Sequence, residues 1–156
     1  MRIITNYIVN LLGSKPVETM TAEEIIEAIS ENLYTELNTV LLQNDLFQQL
    51  PQVIQDIILV IEFDTELSMN GMWGFLHNAA GLRLNDTIDT FKRIGATEDY
   101  AILSSIEEIL SRYNMSPQQL RDRTASSHLY EVSSFNKVDE VEINLMAEAI
   151  VEQAQN

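Results

Sequence analysis

Residues 20–41 read MTAEEIIEAISENLYTELNTVL, and this stretch decides the fold. Its opening, Met20-Thr21-Ala22-Glu23-Glu24-Ile25, is a helix start. Thr21 is placed to accept from the backbone N–H three residues on, Glu24 stands at the third helical position, and Met20 and Ile25 bracket the cap as a hydrophobic staple. Ile25, Ile29, Leu33, Leu37 and Leu41 then recur every four residues and lay an apolar stripe on one face. Glu23, Glu27 and Glu31 keep the same interval on a different ridge. Asn44-Asp45 predicts the break.

The same signals recur along the chain. A second helix is expected from Pro51, a favoured first-turn residue, to about Asn70. Its centre, Ile57-Ile58-Leu59-Val60-Ile61, suits a strand when taken alone, but the length without turn residues favours a helix buried nearly all round. Asn70-Gly71 predicts a break, followed by a short aromatic segment, Met72-Trp73-Gly74-Phe75-Leu76, that ends by Gly81. A helix from about Asn85 to Ile94 should turn Ile88, Phe91 and Ile94 inward and stop at Gly95, with Lys92 and Arg93 in its last turn. Thr97, Glu98 and Asp99 open another, with Ile102, Ile106, Ile109, Leu110 and Tyr113 as its stripe. Ser116-Pro117-Gln118-Gln119 repeats the start signature. Residues 126–135 have weak periodicity, and Val138, Val141, Leu145 and Ala149 suggest a final helix. The expected architecture is all-α, a single compact multi-helix domain over residues 1–156.

Composition narrows the function. The 156 residues are 46% apolar, enough for one continuous core without staples. Cysteine is absent, which removes disulfides, thiolate metal sites and cysteine nucleophiles. The opening Met1-Arg2-Ile3-Ile4 soon meets Asn6, Asn10 and Lys15, so it lacks the apolar run of a signal peptide. No segment reaches the roughly 20 apolar residues of a membrane span. A cytoplasmic location is expected. Twenty-four acidic against nine basic side chains give a net charge of −15, so nucleic acid and anionic membranes are repelled. Residues 16–82 hold eleven carboxylates and neither Lys nor Arg.

Chemistry-bearing constellations are few. His77 and His128 lack the Glu-x-x-His spacing of carboxylate metal bundles, and no phosphate loop, dinucleotide fingerprint or nucleophile elbow occurs. Glu62 and Glu66 stand at i, i+4 beside an apolar run. With no histidine or third ligand near, a solvated rim is the plainer reading than a cation site. No metal, no cofactor and no catalysis are expected. The acidic ridge has more content. Glu23, Glu27 and Glu31 repeat about every 6 Å at 1.5 Å per residue, comparable to phosphates along a nucleic-acid strand. Like charges at this spacing cost about 0.2–0.5 kcal/mol per pair, and residues 16–82 hold no Lys or Arg to relieve them. Solubility also favours acidic surfaces, and on composition alone that is the plainer reading.

From Leu50 to Ile106 the order of elements carries a resemblance. Leu50-Pro51 opens a long apolar helix, Glu66 precedes the turn at Asn70-Gly71, Phe75-Leu76 follows as an aromatic pair, then Asn78-Ala79-Ala80-Gly81 and Ile94-Gly95-Ala96. This stretch resembles a bacterial family of small helical proteins named for an acidic DNA-mimic member. The family pattern has Asn-Asn-Gly-Gly where this chain has Ser68-Met69-Asn70-Gly71, a Gln where it has Gly74, and Asn-Ser-Ser-Gly at 78–81. The resemblance implies a helical fold, and DNA mimicry, in which surface carboxylates stand in for phosphates.

Two functional expectations result. In the first, Glu23, Glu27, Glu31, Glu62 and Glu66 dock on the basic face of a helix-turn-helix regulator or another nucleic-acid-binding protein, with affinity that falls steeply with salt. In the second, an immunity-type or accessory protein neutralises a toxin through shape and apolar contacts, tolerant of salt. The apolar final helix and the centre of the Pro51 helix offer more hydrophobic surface than one small domain need bury, so a homodimer is expected. Light scattering over micromolar concentrations should give twice the 17.8 kDa chain mass; the monomer mass throughout would refute it.

Overall fold

The computed structural model describes residues 2–13, 15–34 and 45–119. Its helices are, in chain order, α1 (Arg2–Leu12), α2 (Ala22–Asn32), α3 (Gln52–His77), α4 (Leu84–Ile94) and α5 (Thr97–Arg112), with 3₁₀ turns at Val17–Thr19, Asp45–Gln49 and Ala79–Arg83. No strand occurs among the described residues, and the fold is all-α. Leu37, Leu41, Asn44, His128, residues 126–135 and the expected helix at 138–151 lie outside the described residues, as does the His77 side chain. The chain divides into two compact units, Met1–Ile61 and Glu62–Asn156, and α3 runs through the division.

In the first unit, Thr21 caps α2 as its position predicts: its hydroxyl oxygen accepts from the Glu24 N–H at 3.1 Å. The Glu24 carboxylate is taken by Lys15, from the segment before the helix. Ile29 and Leu33 are buried on the expected stripe. They share the unit with α1, a helix outside the sequence expectations. Leu11 and Leu12 are buried at its end, and Gly13, with φ of 82°, terminates it. Asn32 donates its side-chain amide to the Leu11 carbonyl at 3.1 Å, which ties the end of α2 to the end of α1. Gln55, buried on α3, donates to the Gln48 and Leu50 carbonyls at 3.2 and 2.7 Å. Those bonds satisfy the turn that leads into Pro51, so a buried amide there is stabilising.

The second unit is organised around three rings. Phe63 meets Phe75 edge-on at a centroid distance of 5.0 Å and Phe91 at 5.2 Å, and all three are buried. Such pairs add about 0.5–1.5 kcal/mol each beyond burial. The break expected at Asn70-Gly71 is a kink inside a continuing helix: Gly71 has φ 71° and ψ −176°, and the aromatic segment after it is helical. At the end of α4, Gly95 adopts a left-handed conformation, φ 79°, and the Ala96 N–H reaches back to the Phe91 carbonyl at 2.9 Å, the bond of a Schellman stop.

Two inward stripes differ from expectation. Ile94 is 54% exposed; Leu84, Thr87, Ile88, Thr90 and Phe91 are the buried residues of α4. Ile94 is the last residue before the chain turns at Gly95, past the end of the packed face. The buried threonines are satisfied locally, Thr87 by donating to the Arg83 carbonyl at 2.8 Å and Thr90 by accepting from Arg93 at 3.4 Å. On α5 the buried stripe is Leu103, Ile106, Ile109 and Leu110, with Ile102 only half-buried. In the first turn of α5, where the helix dipole favours negative charge, burial and then Glu98 still raise the Asp99 carboxyl above its ordinary range. Ser116 and Gln119 close both halves of a capping box, Ser116 Oγ accepting from the Gln119 N–H at 3.2 Å and Gln119 Oε1 from the Ser116 N–H at 2.9 Å.

Phe63→Ala should lower unfolding free energy by about 3–5 kcal/mol, through the cavity and two lost ring contacts. Ile94→Ala should stay within about 0.5 kcal/mol. Urea titrations of the two variants check both values and, with them, the assignment of the α4 face.

Candidate partner-binding surface

On α2, Glu23, Glu27 and Glu31 are all exposed, one above another along the helix. Among the described residues none of the three side chains makes an ion pair or a hydrogen bond. Lys15 neutralises Glu24, which lies off the ridge and is less exposed. The ends of the ridge are not equivalent. Glu23 lies in the first turn, where the helix dipole stabilises an anion by about 0.3–1 kcal/mol, while Glu31 lies in the last turn, where the dipole opposes it and no base is present. The helix therefore carries a line of unneutralised carboxylates against its own electrostatic preference.

Glu62 and Glu66 belong to the other unit, and the structure gives them different roles. Glu62 is 8% exposed, so the surface role assigned to it does not fit its position. Glu66 is half-buried, and its Oε2 accepts from the side-chain amides of Asn70 at 3.0 Å and Asn78 at 2.7 Å. One carboxylate oxygen thus links the helix before the kink at Gly71 to the residue that follows the helix end at His77. The glycines around this clasp are required by space. A Cβ on Gly74 would stand 2.1 Å from the Asn70 Cβ, and one on Gly81 would stand 2.5 and 2.6 Å from the carbonyl oxygens of Leu76 and Phe75.

In sequence Asn70 and Asn78 belong to a turn pattern and carry no mark as partners of Glu66. Their side-chain type and the spacing of four and twelve residues were the available signal. Among the described residues no three His, Asp or Glu side chains converge as a metal site would require, and no helix is long and apolar enough to cross a membrane.

Comparison with known proteins locates these features. The family described as DMP19-like protein matches residues 48–151, two thirds of the chain. No curated protein and no solved structure matches. The matched segment contains Glu66, Asn70, Gly71, Gly74, Asn78 and Gly81. The ridge on α2 precedes it.

Removing the clasp should weaken the second unit. Asn78→Ala should cost about 1 kcal/mol, the value of one hydrogen bond from an exposed amide to a half-buried carboxylate. Asn78→Asp should cost more, because it sets a second carboxylate against Glu66. Equal urea midpoints for Asn78→Asp and the unaltered chain would show that Glu66 holds nothing there.

Proposed function

The chain belongs to the DMP19-like protein family, and from that premise we propose that it is an acidic protein-binding module that acts as a DNA mimic. Its partner on this reading is a helix-turn-helix regulator or another DNA-binding protein with a basic face. One observation carries the reading: Glu23, Glu27 and Glu31 are exposed, without side-chain partners among the described residues, and spaced about 6 Å apart on one helix. A backbone of phosphates offers a DNA-binding face the same pattern of fixed negative charge.

The mechanism is substitution. Lys and Arg side chains that neutralise phosphates on DNA would neutralise the ridge instead, relieving its i, i+4 repulsion and the unfavourable placement of Glu31 at the helix end. Association would be steered by the net charge of −15 and would weaken as salt rises. DNA and this protein would compete for one face of the partner, which a cytoplasmic regulator of transcription or DNA handling would present.

The test compares two triple variants of equal charge change. Glu23, Glu27 and Glu31 changed together to Gln should weaken binding to the partner, captured from the native cell and freed of nucleic acid by nuclease. The comparison triple, Asp89→Asn with Glu98→Gln and Glu108→Gln, alters three exposed acids of the other unit. It should lose much less. Loss of three ion pairs of about 0.5–1 kcal/mol each predicts roughly tenfold or more in Kd for the ridge triple at low salt. Helix stability should hold or improve slightly, since repulsion is removed. Equal losses for the two triples, or a partner that binds DNA and this protein together, would overturn the reading. Binding indifferent to salt would instead favour the apolar interface of a toxin-neutralising protein.

A further inference from the structure

Asn70-Gly71 is the one place in the sequence where asparagine precedes glycine. The pair is chemically distinctive because the backbone nitrogen of the following residue can attack an asparagine side-chain carbonyl, and a glycine offers no Cβ to obstruct the attack. Here the pair sits at the kink of α3. Gly71 leaves helical backbone with φ 71° and ψ −176°, nothing lies within 4 Å of where its Cβ would be, and Asn70 is exposed. Gly71 is half-buried beside the exposed Asn70, and the pair lies where regular helix geometry is interrupted.

The group that would leave is held. Asn70 Nδ2 donates to Glu66 Oε2 at 3.0 Å, and its Cβ stands where only a glycine at position 74 permits. We propose that Asn70-Gly71 is a deamidation site gated by the Glu66 carboxylate, and that its product unlatches the kink. In the reaction the Gly71 nitrogen gives up its proton and bonds to Asn70 Cγ. The Cγ–Nδ2 bond breaks, and ammonia departs with that proton. Water then adds to one of the two carbonyls of the cyclic imide and cleaves its C–N bond, leaving Asp or isoaspartate at position 70. Water is the sole co-reactant, and no electrons are transferred.

The carboxylate restrains the first step in two ways: it fixes the amide by a charge-assisted bond, and its negative charge opposes the anion that forms on attack. After reaction the same proximity works in reverse. A carboxylate at position 70 no longer donates to Glu66 and repels it, which leaves Asn78 alone on the shared oxygen. Isoaspartate also lengthens the backbone by one carbon at the kink.

The experiment ages the full chain at mildly alkaline pH, well below its melting temperature, and follows individual asparagines by peptide mass mapping. Asn70 should convert first, ahead of the exposed Asn78, Asn85 and Asn114 in the same sample. Glu66→Ala should accelerate Asn70 roughly tenfold, the factor associated with loss of one charge-assisted hydrogen bond, and leave Asn85 and Asn114 at their former rates. Asn70→Asp should lower the melting temperature, whereas Asn85→Asp, the same charge change on exposed surface, should not. Conversion of Asn70 no faster than Asn85 and Asn114 would overturn the site. An unchanged rate in Glu66→Ala, or equal acceleration of all the asparagines as a general loosening would give, would overturn the gate. Equal melting temperatures for the two aspartate variants would overturn the unlatching.

Discussion

Phe63 and Phe75 are twelve residues apart on what begins as one helix, yet their rings meet at 5.0 Å. In a straight helix their Cα atoms would stand about 18 Å apart, too far for that contact. The chain must therefore bend sharply between them, and it does so at Gly71, whose backbone angles only glycine adopts without strain. The second unit depends on this bend. It brings Phe75 to Phe63, frees the segment that becomes the Ala79–Arg83 turn, and lets α4 bring Phe91 to Phe63 as well. Glu66 holds the bend from outside through Asn70 and Asn78, while the three rings hold it from inside. Glycine alone does not fix the bend, since it permits many conformations; the edge-on ring contacts, about 0.5–1.5 kcal/mol per pair, and the Glu66 bonds hold it in one of them.

Structure and charge are divided along the chain. The segment matched by the family holds the kink, the clasp and the ring cluster. The ridge lies before it, on a helix stabilised by Thr21, by Lys15 on Glu24 and by the Asn32 bond to α1. Those local devices matter because the ridge works against its own helix. A capped N-terminus worth about 1 kcal/mol is comparable to the summed repulsion along Glu23, Glu27 and Glu31, so the carboxylates can remain in line without melting α2. On the function proposed above, that alignment is what would let the face match a partner's fixed cations.

How much of this the sequence discloses depends on the range of the signal. Thr21 with Glu24, Ser116 with Gln119, and Gly95 after Lys92-Arg93 are decided within four or five residues, and each was legible because the bond that defines it is local. The registers of α4 and α5 were less so. Ile94 and Ile102 have the right residue type for a core, but their burial depends on where the packed face ends and on the neighbouring helix. Helix α1 lies outside the sequence expectations, although Leu11, Leu12 and Gly13 give an ordinary apolar end and stop. Glu62 and Glu66 illustrate the deepest gap. Two glutamates four residues apart read as a polar rim on any helix, and only tertiary structure shows that one is buried and the other is a tether.

The residues of the turn become intelligible on the same ground. Ser68 and Met69 stand at exposed positions, Met69 being 75% exposed, whereas Asn70 and Gly74 are coupled. A Cβ at position 74 would fall 2.1 Å from the Cβ of Asn70, so both positions cannot carry side chains in this bend. Asn70 therefore demands a glycine one helical turn on, and it stands at i+4 from Glu66, the spacing at which helix side chains face each other. With that space cleared, Asn70 joins Asn78 on one Glu66 oxygen, and the bend is closed by two amides rather than one.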